Sequence, residues 1–267
     1  ILEYTLIREN IKVKDVSYSG MIDNEIGYIK LNRFSKNSAN EVKSSINKLI
    51  NNNMSGLIFD LRNNPGGLLN NAIEILDMFT DQGELLVYTK GKSNRSTRSY
   101  KSQRKPIVSG DLKIIILINK GSASASEIIS GVFQDLDRGI VVGRPSFGKG
   151  LVQTVYNINR NSSVKITTAK YYLPSGRLIQ KSGYLPKEIL LDSLENDTLF
   201  NTSTGRVVSG GGGITPDYIV ETEPVKPILS ACLRNGIFFS FVQKNKHLYE
   251  NFKEVQEDPL ISNKFED

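Results

Sequence analysis

The segment from Leu112 to Ile118 is an apolar run dominated by isoleucine, and it is followed by small, polar residues, Asn119-Lys120-Gly121-Ser122-Ala123-Ser124-Ala125-Ser126-Glu127. A run of that kind reads as a strand buried on both faces, inside a sheet covered by helices. The small residues after it predict a tight strand-to-helix turn, with a helix from Ser126 to Leu136. A serine in such a turn has its hydroxyl lifted off the strand end, beside the free amides and positive dipole end of a helix. These features constrain the chain to an α/β core whose chemistry lies at the carboxyl end of the sheet.

A serine hydroxyl needs a base to become a nucleophile at neutral pH. The only histidine, His247, lies in a polar tail far from this turn, which argues against a Ser/His/Asp triad. A lysine can serve instead where burial disfavours its charged form. Lys149 suits that role, because Gly148 and Gly150 permit close backbone approach and Phe147 is an aromatic neighbour. Gln153, one turn of sequence further on, can orient the amine. Ser122, Ser124 and Ser126 all lie in the turn, and the residues alone leave the nucleophile open among them. Ser126 and Glu127 also suit a helix N-cap and a first-turn acid. Standing alone, such a serine-alanine stretch is also what a flexible turn looks like. Lys149 and Gln153 favour the chemical reading.

The rest of the chain supports an α/β core. Ile1 to Val16 alternates apolar and polar residues and reads as strand, as does Ile26 to Leu31. Ser38 or Asn40 can cap a helix running to Asn51, with Val42, Ile46, Leu49 and Ile50 at helical spacing. Gly56 to Leu61 reads as a buried strand, which makes a strand-helix-strand unit with parallel pairing. The turn Asn64-Pro65-Gly66-Gly67 then leads into a helix from Leu68 to Phe79. Gly83 to Tyr88 reads as strand, Lys90 to Lys105 as an exposed basic loop, and Gly139 to Val142 as a short strand. Thr154 to Ile158 and Val164 to Tyr172 read as a hairpin with Lys165 and Lys170 facing solvent. From Pro227 onward, Ile228, Leu229, Leu233, Ile237, Phe238 and Phe241 follow helical spacing, which predicts a segment that docks on the core or on a neighbouring domain.

With 39% apolar and 23% charged residues the composition is that of an ordinary globular chain. The net charge of +6 raises nucleic acid as a partner. The basic residues are dispersed, however, and the densest cluster, Lys90 to Lys105, holds a single aromatic, Tyr100, where a nucleic-acid surface would show a basic stripe with stacking aromatics. No nucleic-acid partner is therefore expected. Cys232 is the only cysteine, so an intrachain disulfide is excluded, and its apolar neighbours make it a packing residue. One histidine and one cysteine leave no zinc-like ligand cluster. No metal and no cofactor is expected. The sequence starts at Ile1 and shows neither a signal-type segment nor a membrane-spanning run, which we read as an internal or processed segment.

Together, Gly121-Ser122-Ala123-Ser124-Ala125-Ser126-Glu127, then Phe147-Gly148-Lys149-Gly150 and Gln153, resemble the C-terminal processing, or tail-specific, peptidases. Asp60-Leu61-Arg62-Asn63-Asn64-Pro65-Gly66-Gly67 resembles that family's DLRxNPGG element. Thr167 to Arg177 resembles its TTAKYYTPSGR, and Gly213-Ile214-Thr215-Pro216-Asp217 its GIxPD. The resemblance implies a crotonase/ClpP-like mixed sheet with flanking helices and a smaller β-rich part. It also implies a serine endopeptidase acting near protein C-termini. By family spacing the nucleophile is Ser124, with Lys149 as general base and Gln153 orienting it. The amide of Ala125, with that of Gly66 or Gly67, would hold the oxyanion, because such donors must point into the site unobstructed.

The organisation that follows is an N-terminal strand segment at 1–25, a peptidase core at 26–182, an insertion loop at 183–213 near the site entrance, and a C-terminal segment at 214–267 packing on the core. The partners implied are protein or peptide substrates with accessible C-termini and a PDZ module, which is not seen in this sequence and either lies upstream or is dispensed with in this member. The location implied is exported, periplasmic or membrane-associated, in a bacterium. Two rivals remain. One is a catalytically idle peptide-binding scaffold of the same fold, against which the intact Ser124, Lys149 and Gln153 argue. The other is an acyltransferase or thioester hydrolase on a related core, which would lack the lysine loop.

Overall fold

The computed structural model describes residues 8, 9, 13–22, 24–181, 199–221, 226–248 and 254. The chain divides into two compact units, Ile1–Glu221 and Thr222–Asp267. The first is built on a mixed sheet of six strands: β1 (Val16–Met21), β2 (Ile26–Leu31), β3 (Gly56–Asp60), β6 (Lys113–Ile118), β7 (Ile140–Gly143) and β12 (Tyr218–Ile219), in that spatial order. β1 runs antiparallel to β2, and every other neighbouring pair is parallel.

Parallel strands need crossover connections, and helices lie in those from β2 to β3, from β3 to β6 and from β6 to β7. They are α1 (Ser38–Asn51), α2 (Leu69–Leu76) and α3 (Ala125–Asp135). In α1, Val42, Ile46 and Leu49 are buried as their spacing predicts, whereas Ile50 lies outside the stripe and is exposed. Ile29, Leu31, Leu57, Phe59, Ile114, Ile116 and Val141 share one apolar cluster with these α1 residues, with Ile75 and Leu76 of α2, and with Ile129 and Phe133 of α3. Phe79 belongs to the same cluster, stacked on Phe59 and edge-on to Phe133.

This core corrects the expectation that the isoleucine run is buried on both faces. Ile114, Ile116 and Ile118 are buried, but Ile115 is 37% exposed. The strand alternates, and the side chains opposite the helical layer are left partly open.

A second sheet is antiparallel, in the order β5 (Arg98–Lys101), β4 (Leu85–Gly91), β9 (Ser162–Tyr172), β8 (Leu151–Asn159). Tyr88 and Tyr172 stack at 5.1 Å between β4 and β9, with the Lys90 ammonium over both rings. The basic stretch 90–105 is therefore not one loop, because Arg98–Lys101 pairs with β4. The hairpin expected around Asn159 to Ser163 is β8–β9, with Lys165 exposed and Lys170 half-buried.

Most of the strand expected over Ile1 to Val16 lies outside the described residues; those that are described before residue 15 are not in a strand, and β1 begins at Val16. Of the insertion expected at 183–213, residues 183–198 also lie outside the description. The remainder forms a short hairpin, β10 (Leu199–Asn201) with β11 (Val207–Ser209). The second unit contains α4 (Pro227–Arg234) and α5 (Ile237–Asn245), so the predicted helical spacing there is present; Cys232 lies half-buried on α4.

Candidate active site

Turns that follow β3, β6 and β7 meet at the carboxyl end of the main sheet. The turn after β6 is bound to the one after β3 by main-chain and hydroxyl contacts. Ala123 N donates to Asn64 O at 3.0 Å, Ser122 Oγ to Leu61 O at 2.8 Å, and Ser126 Oγ to Asn64 O at 3.0 Å. Asn119 and Asn63 exchange hydrogen bonds, each 2.9 Å long. The loop after β7 joins through Phe147 N to Ser122 O at 3.0 Å.

These contacts separate the three serines. Ser122 and Ser126 are fully buried, and their hydroxyls are engaged with main-chain carbonyls. Ser124 is only half-buried and occupies the N-cap of α3 with φ 55° and ψ −113°. A non-glycine residue at that combination stores strain of about 1–3 kcal/mol, and such strain persists only where the surroundings over-determine it. A sharp strand-to-helix elbow presents its serine in this way, with the hydroxyl exposed at the head of a helix. The Ala125 amide, next in the chain, donates no hydrogen bond among the described residues.

What over-determines Ser124 is Glu127. Its carboxylate is fully buried and accepts four hydrogen bonds: from Ser146 Oγ and Gly148 N on one oxygen, both 2.6 Å, and from Ser124 N at 2.7 Å and Lys149 N at 2.8 Å on the other. Two residues far apart in sequence thus share one oxygen, which fixes the spacing of their backbones. Burial pushes the Glu127 carboxyl up from its ordinary value, and the donors from Ser146, Lys149, Gly148 and Ser124 act in the other direction. Ser146 Oγ accepts in turn from Ile214 N at 2.7 Å, which ties the Gly213–Asp217 motif to the same centre. Nothing in the sequence pointed to Glu127 beyond a first-turn acid at a helix start. A useful signal was its position three residues after a serine N-cap, the spacing of a capping box.

The glycines of the turn after β3 have distinct parts. A Cβ on Gly66, which has φ +91°, would lie 2.5 Å from Ala123 O and 2.8 Å from Ala125 N, so only glycine lets this turn lie against Ser124. The Gly66 amide is already committed to Asn64 Oδ1 at 2.9 Å. The Gly67 amide donates to no described residue. Asn64, fully buried and anchored by its Nδ2 to Leu31 O at 2.9 Å, is a second positioning residue that the motif alone did not reveal.

In the lysine loop, Gly148 and Gly150 do permit close approach, but to the irregular segment 180–181. A Cβ on Gly148 would meet Lys181 Cβ at 2.6 Å, and one on Gly150 would meet Gln180 N at 2.5 Å. The Lys149 side chain is half-buried and makes no hydrogen bond or ion pair among the described residues. Gln153 is exposed on β8, and no hydrogen bond joins it to Lys149. Nearby, Asp60 collects Arg62 Nη2 at 2.7 Å, Lys30 Nζ at 3.1 Å and Tyr28 Oη at 2.5 Å. Burial pushes its carboxyl up, but the hydrogen bonds from Arg62, Tyr28 and Lys30 outweigh this and hold it at about 2.

A strained serine at the head of a buried helix, an unclaimed amide next to it in the chain, and a lysine loop pinned to the same carboxylate define the class as an α/β protein with a candidate serine-nucleophile site. The chain belongs to peptidase family S41, whose model matches residues 25–189. It is 39% identical over 193 residues to the carboxy-terminal-processing protease of Bartonella bacilliformis, a match covering 69% of this chain and 43% of that protein. It is 39% identical over 166 residues to the carboxyl-terminal-processing protease of a Picosynechococcus, covering 62% of this chain and 39% of the relative. The chain thus spans less than half the length of these curated relatives. Among solved structures it is similar to the photosystem II D1 C-terminal processing protease, with 26% identity and a TM-score of 0.59 over 80% of this chain and 50% of that one.

Proposed function

We propose that this chain carries the catalytic part of a serine endopeptidase that cleaves proteins near their C-termini. Ser124 attacks the carbonyl; Lys149 takes the hydroxyl proton and then delivers it to the leaving amine. The observation that carries this reading is the single Glu127 oxygen shared by the Ser124 and Lys149 amides, which keeps nucleophile and base in one neighbourhood. Burial and hydroxyl engagement of Ser122 and Ser126 favour Ser124 among the three serines. For the oxyanion, the uncommitted amides of Ala125 and Gly67 are the donors we assign, since the Gly66 amide already serves Asn64. Gln153 keeps the assigned role of orienting the amine, although among the described residues it is exposed and makes no hydrogen bond to Lys149.

The preference for C-termini is taken from the names of the relatives, and a PDZ module elsewhere in the protein is the element we assign to capturing the substrate terminus. The same reading places the protein outside the cytoplasm. Among the described residues no helix is long and apolar enough to cross a membrane. The decisive experiment compares Ser124→Ala, Lys149→Arg and Lys149→Ala on a denatured protein substrate, alongside thermal melts. All three are expected to lose at least about a thousandfold in kcat/KM with native melting, because guanidinium cannot accept the serine proton. Near wild-type turnover in Lys149→Arg would reduce the lysine to a source of charge.

A further inference from the structure

Strand β8 leaves the lysine loop at Leu151 and runs to Asn159. One side of it pairs with β9, from Leu151 opposite Lys170 to Asn159 opposite Ser162. Its other side is the margin of the four-stranded sheet, and among the described residues no strand pairs with it there. At about 3.3 Å per residue, this strand offers an open edge roughly 30 Å long. Proteins ordinarily blunt such edges with charge, proline or brevity, because an open row of amides and carbonyls templates pairing.

The opposite margin of the same sheet obeys that rule. β5 has only 4 residues and is flanked by Arg98 and Lys101. β8 has 9 residues with no charge and no proline, and its one irregularity of register, apart from the turn end, is at Val152/Gln153 near its root. The hairpin it belongs to is also apolar on one face. Tyr156 lies opposite Val164 and Thr154 opposite Ile166, and Tyr156, Ile158, Val164 and Ile166 are all exposed. A long unprotected edge with an apolar face therefore starts immediately after Lys149.

We propose that the open edge of β8 receives an extended stretch of the polypeptide substrate as an added strand, with its side chains against Tyr156 and Ile158, and so feeds the chain past Lys149 toward Ser124. The proposal rests on the assignment of Ser124 and Lys149 as nucleophile and base. The occupant we commit to is unfolded polypeptide rather than a second copy, because the edge is continuous with the site and its main-chain pairing is indifferent to sequence. A peptidase acting on varied chains requires that indifference.

The test uses the full-length protein and an unstructured polypeptide substrate made with a single backbone N-methyl group at successive positions beyond the residues flanking the cut. Strand addition predicts a loss of about fivefold in kcat/KM at every second position over several residues, since alternate amides face the edge and each pairing contributes about 1 kcal/mol. A loss without that alternation, or none, overturns the proposal. In parallel, Tyr156→Lys and Ile158→Lys are expected to raise KM about tenfold with kcat nearly retained and an unchanged melt, their side chains being exposed. An unchanged KM overturns it, and if sedimentation shows a dimer lost in the same variants, the edge belongs to a second copy. Ser124→Ala is the control for the underlying assignment. If it still cleaves, the nucleophile is wrong; if it is inert while the edge variants behave as wild type, only the edge proposal fails.

Discussion

The two ends of α3 are fastened by different physics. At its N-terminal end, Glu127 gathers three main-chain amides and one hydroxyl, and among the described residues no ion pair involves it. At its C-terminal end the fastening is ionic. Arg177, 1% exposed, forms an ion pair with Asp135 at 2.7 Å and donates a hydrogen bond to Gln134 Oε1 at 2.8 Å. Arg206 bridges Asp137 and Asp217 at 2.5 and 2.7 Å, and Asp217 also accepts from Val141 N at 2.8 Å. Acids at a helix C-terminus oppose the helix dipole, so the arginines offset both that and the burial of charge. The difference follows from what each end must do. Amides are fixed by the chain and spend no rotamer entropy, which suits a turn that must hold reacting groups. Arginines have reach, which suits joining the hairpin β10–β11 and the segment after β9 to a helix far away in sequence.

The sharpest way to break this comparison is Arg177→Met. Removing one partner of a buried pair leaves Asp135 charged and unpaired, and we expect a loss of about 3–5 kcal/mol in chemical denaturation. Adding Asp135→Asn to it should recover much of that loss. In conditions where the variant is folded, kcat should stay near wild type, because this end does not touch the serine turn. A cost under about 1 kcal/mol would mean the ionic end contributes little to the fold.

Gly66→Ala probes the amide end. Its Cβ would press on Ala123 O and Ala125 N from a left-handed backbone, so the turn must withdraw from Ser124. Peptide hydrolysis is expected to fall at least about a hundredfold, the scale of losing an oxyanion donor. Stability should fall by about 1–3 kcal/mol, measured by the same denaturation. Intact hydrolysis would show that the close approach is not needed for catalysis.

Glu127→Gln is gentler. The carboxamide keeps one acceptor oxygen but turns an NH2 group toward amides that need an acceptor, costing about 1–3 kcal/mol at a buried site. We expect kcat to drop roughly tenfold with KM little changed, since positioning rather than binding is lost. Equal losses in KM would place Glu127 in substrate binding instead.

Much of this was legible in the sequence, and the rest was hidden for physical reasons. The ordered motifs placed Ser124, Lys149 and the glycine turn, and periodicity gave β2, β3 and α1 to within a residue or two. The isoleucine run misled about Ile115, because a run of uniform polarity carries no period from which a solvent-facing side could be read. Glu127 was hidden because an acid in a helix's first turn has an ordinary explanation, and its four donors come from segments that only tertiary folding brings together. The division of labour between Gly66 and Gly67 was hidden because it depends on where one side chain, Asn64, sends its oxygen. The ionic end joins residues 134 to 217 with no local spacing to announce it.

The smallest effect expected is the opposite response to acid of two carboxylates, Glu127 and Asp137; Asp135, also at the C-terminal end, is raised by burial as Glu127 is. Burial raises the Glu127 carboxyl above its ordinary 4.5 in the folded state, so the fold binds that proton more readily than the unfolded chain does. Its protonation on acidification is thus stabilising on balance, even as it removes an acceptor from the serine turn. Asp137 behaves in the reverse way. Burial pushes it up, but hydrogen bonds from Thr202, Thr204 and Arg206 hold it down at about 2, against an ordinary 3.8. The stability it contributes is full above 3.8 and is lost as pH falls toward 2, and Asp60 follows the same course. Amide resonances of Ser124, Gly148 and Lys149 should therefore titrate together at a pH above 4.5 while near-ultraviolet circular dichroism stays native, with unfolding confined to the window between about 4 and 2. The Glu127→Gln chain should lose the first transition and keep the second. If the three amides move only as the whole fold melts, Glu127 and Asp137 titrate as one unit and the contrast between them is wrong.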